Sequence, residues 1–285
     1  MSIADRAVLV QLNISTWGTE RLDKYQTDRI NRINNADAKA GKVHKDLMCG
    51  TNLAKDIDIH AARSRLFNHE HTMPWQDRGA RLLPTSMFLE YKAEMNRLEQ
   101  KFNALVDKFI PNYEAAKQVA RNYLRDMYND ADYPDARDIA CKYKWSLTVS
   151  PVPQSGHFCV DVPANELLAM QRSCDEEVER RLADAMRKPW EDLHKMLTGM
   201  SDKLKDRDVD DVRQKRFHDT FVSNALDLCK LLTHMNVTGD AQLEKARQQL
   251  EAALSNVEVE DIKESSAMRT HVKNKLDSIL DQFDW

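Results

Sequence analysis

The sequence is poor in the residues that interrupt regular structure. Only 7 of its 285 residues are glycine and 8 are proline. That excludes collagen-like, linker-like and turn-dense all-β chains. No apolar run approaches the roughly 18 residues of a membrane span. The opening Met1-Ser-Ile-Ala-Asp5-Arg6 holds an acid and no apolar stretch, unlike a secretory leader. The cysteines Cys49, Cys141, Cys159, Cys174 and Cys229 are scattered, odd in number and never spaced Cys-x-x-Cys. They read as free thiols of a reducing cytosol. Catalytic signatures are missing as well: there is no Gly-x-Ser-x-Gly and no Cys/His motif.

What the chain does hold is charge and helix-forming residues. Charged residues make up 31% and apolar residues 42%, with a formal net charge of -4. This balance points to long amphipathic helices. Residues 1–150 carry 23 Lys/Arg against 20 Asp/Glu, and residues 151–285 carry 19 against 26. Neither half is the strong basic footprint of a nucleic-acid binder.

Periodicity gives the architecture. Val8, Val10, Leu12 and Ile14 alternate and predict a strand over 6–15, ended by Trp17-Gly18. A polar helix is expected over 19–34, a loop or short helix over 35–50, and a helix over 52–68. Phe88, Tyr91, Met95, Leu98, Phe102, Leu105 and Phe109 then recur at heptad spacing, with Ser86 as the N-cap. The phase slips by one residue before Tyr113, Ala116, Ala120, Tyr123 and Met127, and Pro111 sits in the slip, which predicts a kink. A second long helix is expected from Pro163 to Leu204. Leu167, Met170, Cys174, Val178, Leu182 and Ala185 mark its face, Pro189 interrupts it, and Trp190, Leu193, Leu197, Met200 and Leu204 resume the seam.

These readings combine into a mainly α fold. A long kinked antiparallel helical hairpin, or coiled coil, occupies 86–204, with a small antiparallel β element inserted at 145–162. An N-terminal region of strand, helices and a Pro/Trp loop spans 1–85. A C-terminal helical bundle spans 205–285, its boundary at the acidic run 205–211. An isolated β-hairpin is marginal in water, so the strand over 6–15 is expected to add to it.

Several clusters invite a chemical reading. Gly41-Lys42 suggests a phosphate loop, but the early glycine is Ala36 and the magnesium hydroxyl is Val43. His69 and His71 suggest a metal-dependent hydrolase with a third ligand from His44, Cys49 or His60, yet the helical zinc motif requires i, i+4 spacing. The loop Thr72–Pro84 brackets Trp75, Asp77, Arg78 and Arg81 between Pro74 and Pro84. One reading makes Trp75 a plug with Asp77 paired to Arg78 or Arg81; the other makes these residues anchors for a protein partner. Trp145, His157 and Phe158 are either part of a small capping sheet or a recognition tip. Arg29, Arg32, Lys39, Lys42 and Lys45 form the one local basic run, diluted by Asp28 and Asp37. No cofactor is expected.

Val10-Gln-Leu-Asn-Ile-Ser-Thr-Trp-Gly18, the Thr72–Pro84 loop, Asp130-Ala-Asp-Tyr-Pro-Asp135, Ser150-Pro-Val-Pro153 and Met235-Asn-Val-Thr-Gly-Asp240 stand out as segments. Together they resemble an uncharacterised family of tailed-bacteriophage proteins. Such proteins are often encoded beside a MoxR-type AAA+ ATPase and a von Willebrand factor A protein. The resemblance implies a place in the cytoplasm of an infected bacterium and supplies no catalytic residues. The expected role is a non-enzymatic adaptor or assembly protein that contacts that ATPase or a host protein, and that forms a homo-oligomer through its seams. A coiled-coil DNA binder similar in outline to phage Gam proteins is the alternative. No membrane partner is expected.

Overall fold

The structure is a computed structural model that describes residues 3–76, 79–157, 162–205, 217–283 and 285. Its elements begin with α1 (Ile3–Arg6), β1 (Ala7–Ser15), β2 (Glu20–Leu22), α2 (Lys24–Ile33), β3 (His44–Asp46) and α3 (Leu53–His71). Next come β4 (Met73–Pro74), β5 (Arg81–Pro84), α4 (Phe88–Phe109), α5 (Tyr113–Leu124), α6 (Ala136–Ala140) and β6 (Lys144–Pro151). The rest is helical: α7 (Ala164–Ala185), α8 (Arg187–Leu204), α9 (Phe221–Met235), α10 (Ala241–Leu254), α11 (Val259–Glu264) and α12 (Ser266–Leu280). One sheet has the order β4-β5-β1-β6, and β2 pairs with β3 in a second. β1 and β5 run antiparallel, with Ala7 opposite Pro84 and Val10 opposite Arg81. No helix among the described residues is long and apolar enough to cross a membrane.

The chain divides into two compact units. The first comprises Leu12–His69 and Glu90–Thr148, and its core is aromatic. Trp17, Phe102, Phe109, Tyr113, Tyr133 and Tyr143 are buried with Ile57, Ala61 and Ile139. Trp17 stacks on Phe109 at 6.4 Å and meets Tyr113 edge-on at 5.9 Å. α3 turns Ala54, Ile57, His60, Ala61, Ser64 and Asn68 inward, a face with polar members. Each finds a partner: the His60 ring lies 2.8 Å from the Leu98 carbonyl oxygen, and Tyr91 donates to Asn68 at 2.6 Å. α4 therefore packs on α3. Pro111 ends α4 as the spacing predicts, in a 3-10 turn over Ile110–Asn112. The Asn112 amide donates to the Lys108 carbonyl at 2.8 Å, satisfying an acceptor at the broken helix end.

The second unit comprises Met1–Gln11, Glu70–Leu89 and Val149–Trp285. α8 to α12 form a bundle with an aliphatic core that includes Leu193, Leu197, Leu232, Leu250, Ile262 and Leu276. Asp240 caps α10 through the Gln242 and Leu243 amides, and Ser265 caps α12 through Met268. A smaller core gathers Ala7, Leu9, Met73, Trp75, Leu82 and Val152 with Ala185, Met235 and Val237. The break in the second long helix falls at Met186, three residues before Pro189. Pro189 becomes the third residue of α8, where the backbone N–H has no intrahelical acceptor to lose.

The expected coiled-coil hairpin is not what folds. α4 belongs almost entirely to the first unit and α7 and α8 to the second, and with its two sheets the fold is mixed α/β. Periodicity identified the buried faces of α4 and α8 but could not assign their partners. The α4 face meets α3, and the α8 face meets the helices that follow it. β2, β3, β4 and β5 are two to four residues long, too short to alternate legibly. β1 lies between β5 and β6, so the N-terminal strand does extend a sheet. The return strand expected within 157–162 falls largely outside the described residues, as does the acidic run 206–211. Ser86 is not a cap; it lies in the 3-10 turn Thr85–Met87 that precedes α4.

Candidate functional site

The predicted anchors are mostly consumed by the fold. Trp75 is buried in the smaller core of the second unit. Arg81 donates from Nε to the Thr72 hydroxyl at 2.6 Å and from its guanidinium to the Thr72 carbonyl at 2.8 Å, so it staples the loop. Asp77, Arg78 and Phe158 lie outside the described residues, as does the side chain of His157. Trp145 is half-buried, its ring 5.5 Å from Phe102, which makes it a wall of the aromatic core and not a projecting tip. Its indole N–H and the hydroxyls of Tyr133 and Tyr143 are buried without a hydrogen-bond partner among the described atoms. Burial pushes both tyrosine hydroxyls up from the ordinary phenol value.

The metal reading finds no support in the geometry. His69 and His71 sit two positions apart on the last turn of α3, where a helix directs them apart. His60 is committed to Leu98. Among the described residues, no group of three His, Cys, Asp or Glu is placed to hold a metal ion. Trp190, His194 and Trp285 wall an open cleft of about 640 Å³ with Arg187 and Glu191. The Trp190 N–H is already given to Asp240 at 3.1 Å.

The basic run divides. Lys45 is buried: its ammonium lies 2.8 Å from Asp132 and donates to the Met127 carbonyl at 2.6 Å. It is an internal strut and is withdrawn from any nucleic-acid surface. Arg29, Arg32, Lys39 and Lys42 are exposed. Arg29 and Arg32 share the outer face of α2 with apolar residues that sequence reasoning missed.

α2 is built inside out. Its buried residues are the polar Thr27 and Asn31, one turn apart on a single face. The Thr27 hydroxyl accepts from the Val43 amide at 3.0 Å. The Asn31 amide donates to the Ala38 and Gly41 carbonyls, each at 3.2 Å. A methyl group at Gly41 would lie 2.8 Å from Asn31 Oδ1, so a larger residue there would have to displace the Asn31 side chain. These bonds lay the 36–43 loop along the helix, and Asp23 caps the helix through the Gln26 amide at 2.9 Å. Because polar bonds seat the helix, its apolar side chains are left outside. Tyr25 is 74% exposed, Ile33 68% and Ile30 45%. Tyr25, Arg29, Arg32 and Ile33 share the outer face by helical spacing, with Ile30 on its flank. The signal was present in Lys24-Tyr-Gln-Thr-Asp-Arg-Ile-Asn-Arg-Ile33: the only face that Thr27 and Asn31 share holds no apolar residue.

The result is an exposed apolar face that also carries Arg29 and Arg32, with Asp28 at its edge, while Lys39, Lys42 and Asp37 belong to the loop bonded to the opposite, Thr27/Asn31 face. Asp37 is partly occupied, accepting from the Lys39 amide at 2.8 Å. Such a surface combines burial energy with positive charge, the pairing found at interface anchors. No family model matches the chain, and no curated protein or solved structure proved similar to it.

Proposed function

We propose that the protein is a non-enzymatic adaptor or assembly protein that engages an acidic protein surface through the outer face of α2. The observation that carries this reading is the outward placement of Tyr25, Ile30 and Ile33 beside the exposed Arg29 and Arg32. Fully burying one such side chain against a partner gains about 1.5–3 kcal/mol. Arg29 and Arg32 on the same face select a partner of opposite charge and speed the encounter. The resemblance to tailed-phage proteins supplies the context: the cytoplasm of an infected bacterium, with a MoxR-type ATPase, its von Willebrand factor A companion or a host protein as partner.

The test pairs purified protein with the purified ATPase and its companion, measured by biolayer interferometry. The double substitution Tyr25→Ala with Ile33→Asp is expected to weaken binding at least about tenfold. Its melting temperature should hold, because both side chains are solvent-exposed. No binding to either protein, or binding the substitution leaves intact, overturns the proposal. The exposed Arg29, Arg32, Lys39 and Lys42 favour one second reading, a phosphate-backbone contact with DNA. Retention of DNA at about 50 mM salt that collapses as salt rises, through counterion release, supports that reading instead.

A further inference from the structure

The helical bundle of the second unit holds a cleft between α10 and α12 that its core does not fill. The cleft has a volume of about 450 Å³, within the range of ligand-binding clefts. Its floor is made of small side chains, Ala252 and Ala253 on α10, with Ile279 on α12. Ala253 and Ile279 are buried and Ala252 is exposed. Longer aliphatic side chains at 252 and 253 would close this space, so the two alanines keep it open.

The α12 wall is a row of polar side chains. His271, Lys275, Ser278 and Gln282 follow at steps of 4, 3 and 4, which sets them along one face of the helix. All four are exposed, and the row extends about 16 Å. Lys275 can only donate and enters no ion pair among the described residues, whereas Lys273 on the same helix is tied to Asp277. Gln282 already accepts from the Gln249 amide at 2.9 Å, so what it chiefly has left is its pair of N–H donors. Among the described residues no acid lines the cleft; Asp281 stands on the flank of α12. This wall therefore selects acceptors and negative charge.

α10 offers the reverse. Gln249 Oε1 is shielded from solvent and has no partner among the described residues. That is a costly state for a carbonyl oxygen, and a small turn of its amide toward a ligand N–H would relieve it. Carboxylates and main-chain N–H groups occur together in an acidic peptide. An inorganic anion would meet Lys275 but has no apolar part to lay on the alanine floor. An extended strand advances about 3.3 Å per residue and turns alternate side chains to one side. About five residues would therefore follow the row from His271 to Gln282.

We infer that the α10–α12 cleft binds a short, extended, acidic segment of a partner protein, with a carboxylate over Lys275 and its backbone against the alanine floor. The cleft shares no residue with the outer face of α2, so this inference goes beyond the adaptor reading and stands or falls without it.

The experiment uses the full chain and a fluorescein-labelled peptide, Glu-Val-Glu-Ala-Glu, read by fluorescence polarisation. Binding with a Kd below about 1 mM is expected, and none for the counterpart Lys-Val-Lys-Ala-Lys. Lys275→Glu should weaken binding at least about tenfold by setting like charges together. Ala252→Trp should abolish it by filling the cleft. Both positions are exposed, so the melting temperature should hold in each variant. Lys230→Glu makes the same change of net charge on α9, at an exposed lysine, and should leave binding unchanged. So should Tyr25→Ala with Ile33→Asp, which separates this cleft from the α2 face. No binding, equal binding of the basic peptide, or binding indifferent to Lys275→Glu and Ala252→Trp overturns the inference. Displacement of the peptide by inorganic phosphate at the same concentration would assign the cleft to simple anions and overturn it equally.

Discussion

The two units solve the problem of a core in different ways. The bundle of α8–α12 is held mainly by aliphatic side chains, with Leu, Val and Ile at most inward positions. The unit of α2–α6 is held by stacked aromatic rings and by buried polar groups: Thr27, Asn31, Lys45, His60, Ser64 and Asn68. Aliphatic packing is tolerant of register and is written plainly in periodicity. Aromatic and polar packing is specific, because a buried donor or acceptor stabilises only when its partner is in place. The specific unit also leaves apolar side chains outside, on α2. A helix seated by hydrogen bonds is free to present its apolar residues to something else.

Deleting one ring should break this comparison most sharply. Phe109 is fully buried, with Trp17, Tyr113 and Tyr143 around it at 5.8–6.4 Å between ring centroids. Phe109→Ala is expected to cost about 3–5 kcal/mol, and Leu250→Ala in the bundle about 2–4 kcal/mol. Denaturant unfolding measures both costs, and hydrogen exchange locates them. Protection lost only in the unit that carries each substitution supports two separate cores. Equal loss throughout the chain would show that they unfold as one.

The polar strut comes next. Lys45 bonds Asp132 and the Met127 carbonyl with its side chain almost fully shielded. Lys45→Ala leaves Asp132, a carboxylate 17% exposed, with only the exposed Arg21 at 3.7 Å as an ion-pair partner among the described residues. The expected loss is about 3 kcal/mol, at the lower end for a broken buried pair because water still reaches Asp132. A change under about 0.5 kcal/mol in denaturant unfolding, the range of an ordinary surface substitution, would remove the claim that polar contacts hold this unit.

How much of this was legible in the sequence follows the same divide. The helices of the C-terminal region were legible: α9 to α12 lie within 205–285, where a helical bundle was expected. So was the break at Pro111, because proline chemistry is local. What failed was long-range. The α4 seam reads as half of a coiled coil until His60 and Asn68 of α3 are seen to meet it, and both are polar residues that no hydrophobic pattern selects. Lys45 read as a surface cation because its partner Asp132 lies 87 residues away in the chain. The α2 face was missed for the converse reason. Patterning rules assume that apolar residues face inward, and here Thr27 and Asn31 occupy that face.

The smallest expected effect concerns pH, and it favours the aromatic unit. In the bundle unit, the Arg247 guanidinium holds Glu244 below the usual carboxylate range. Burial works to raise Asp277, but hydrogen bonds from Lys273 and from Ser201, the latter at 2.5 Å, outweigh it and the net shift is downward. A carboxyl lowered in the folded state adds stability that is complete above its unfolded value, near 4, and is lost as pH falls through the folded value. Both side chains are about one-third exposed, so solvent screening limits each to roughly 0.5 kcal/mol. In the aromatic unit the carboxylate lowered in the same way is Asp130, at the surface beside Lys117, where screening leaves little to lose. Hydrogen exchange followed from pH 7 to pH 3 should therefore show protection falling first in α8, α10 and α12. Ser201→Ala should move the Asp277 carboxyl back toward its ordinary value and shrink that difference. If the aromatic unit opens first, its buried polar contacts are weaker in acid than the Glu244–Arg247 and Ser201–Asp277 pairs, and the contrast between the two cores is reversed.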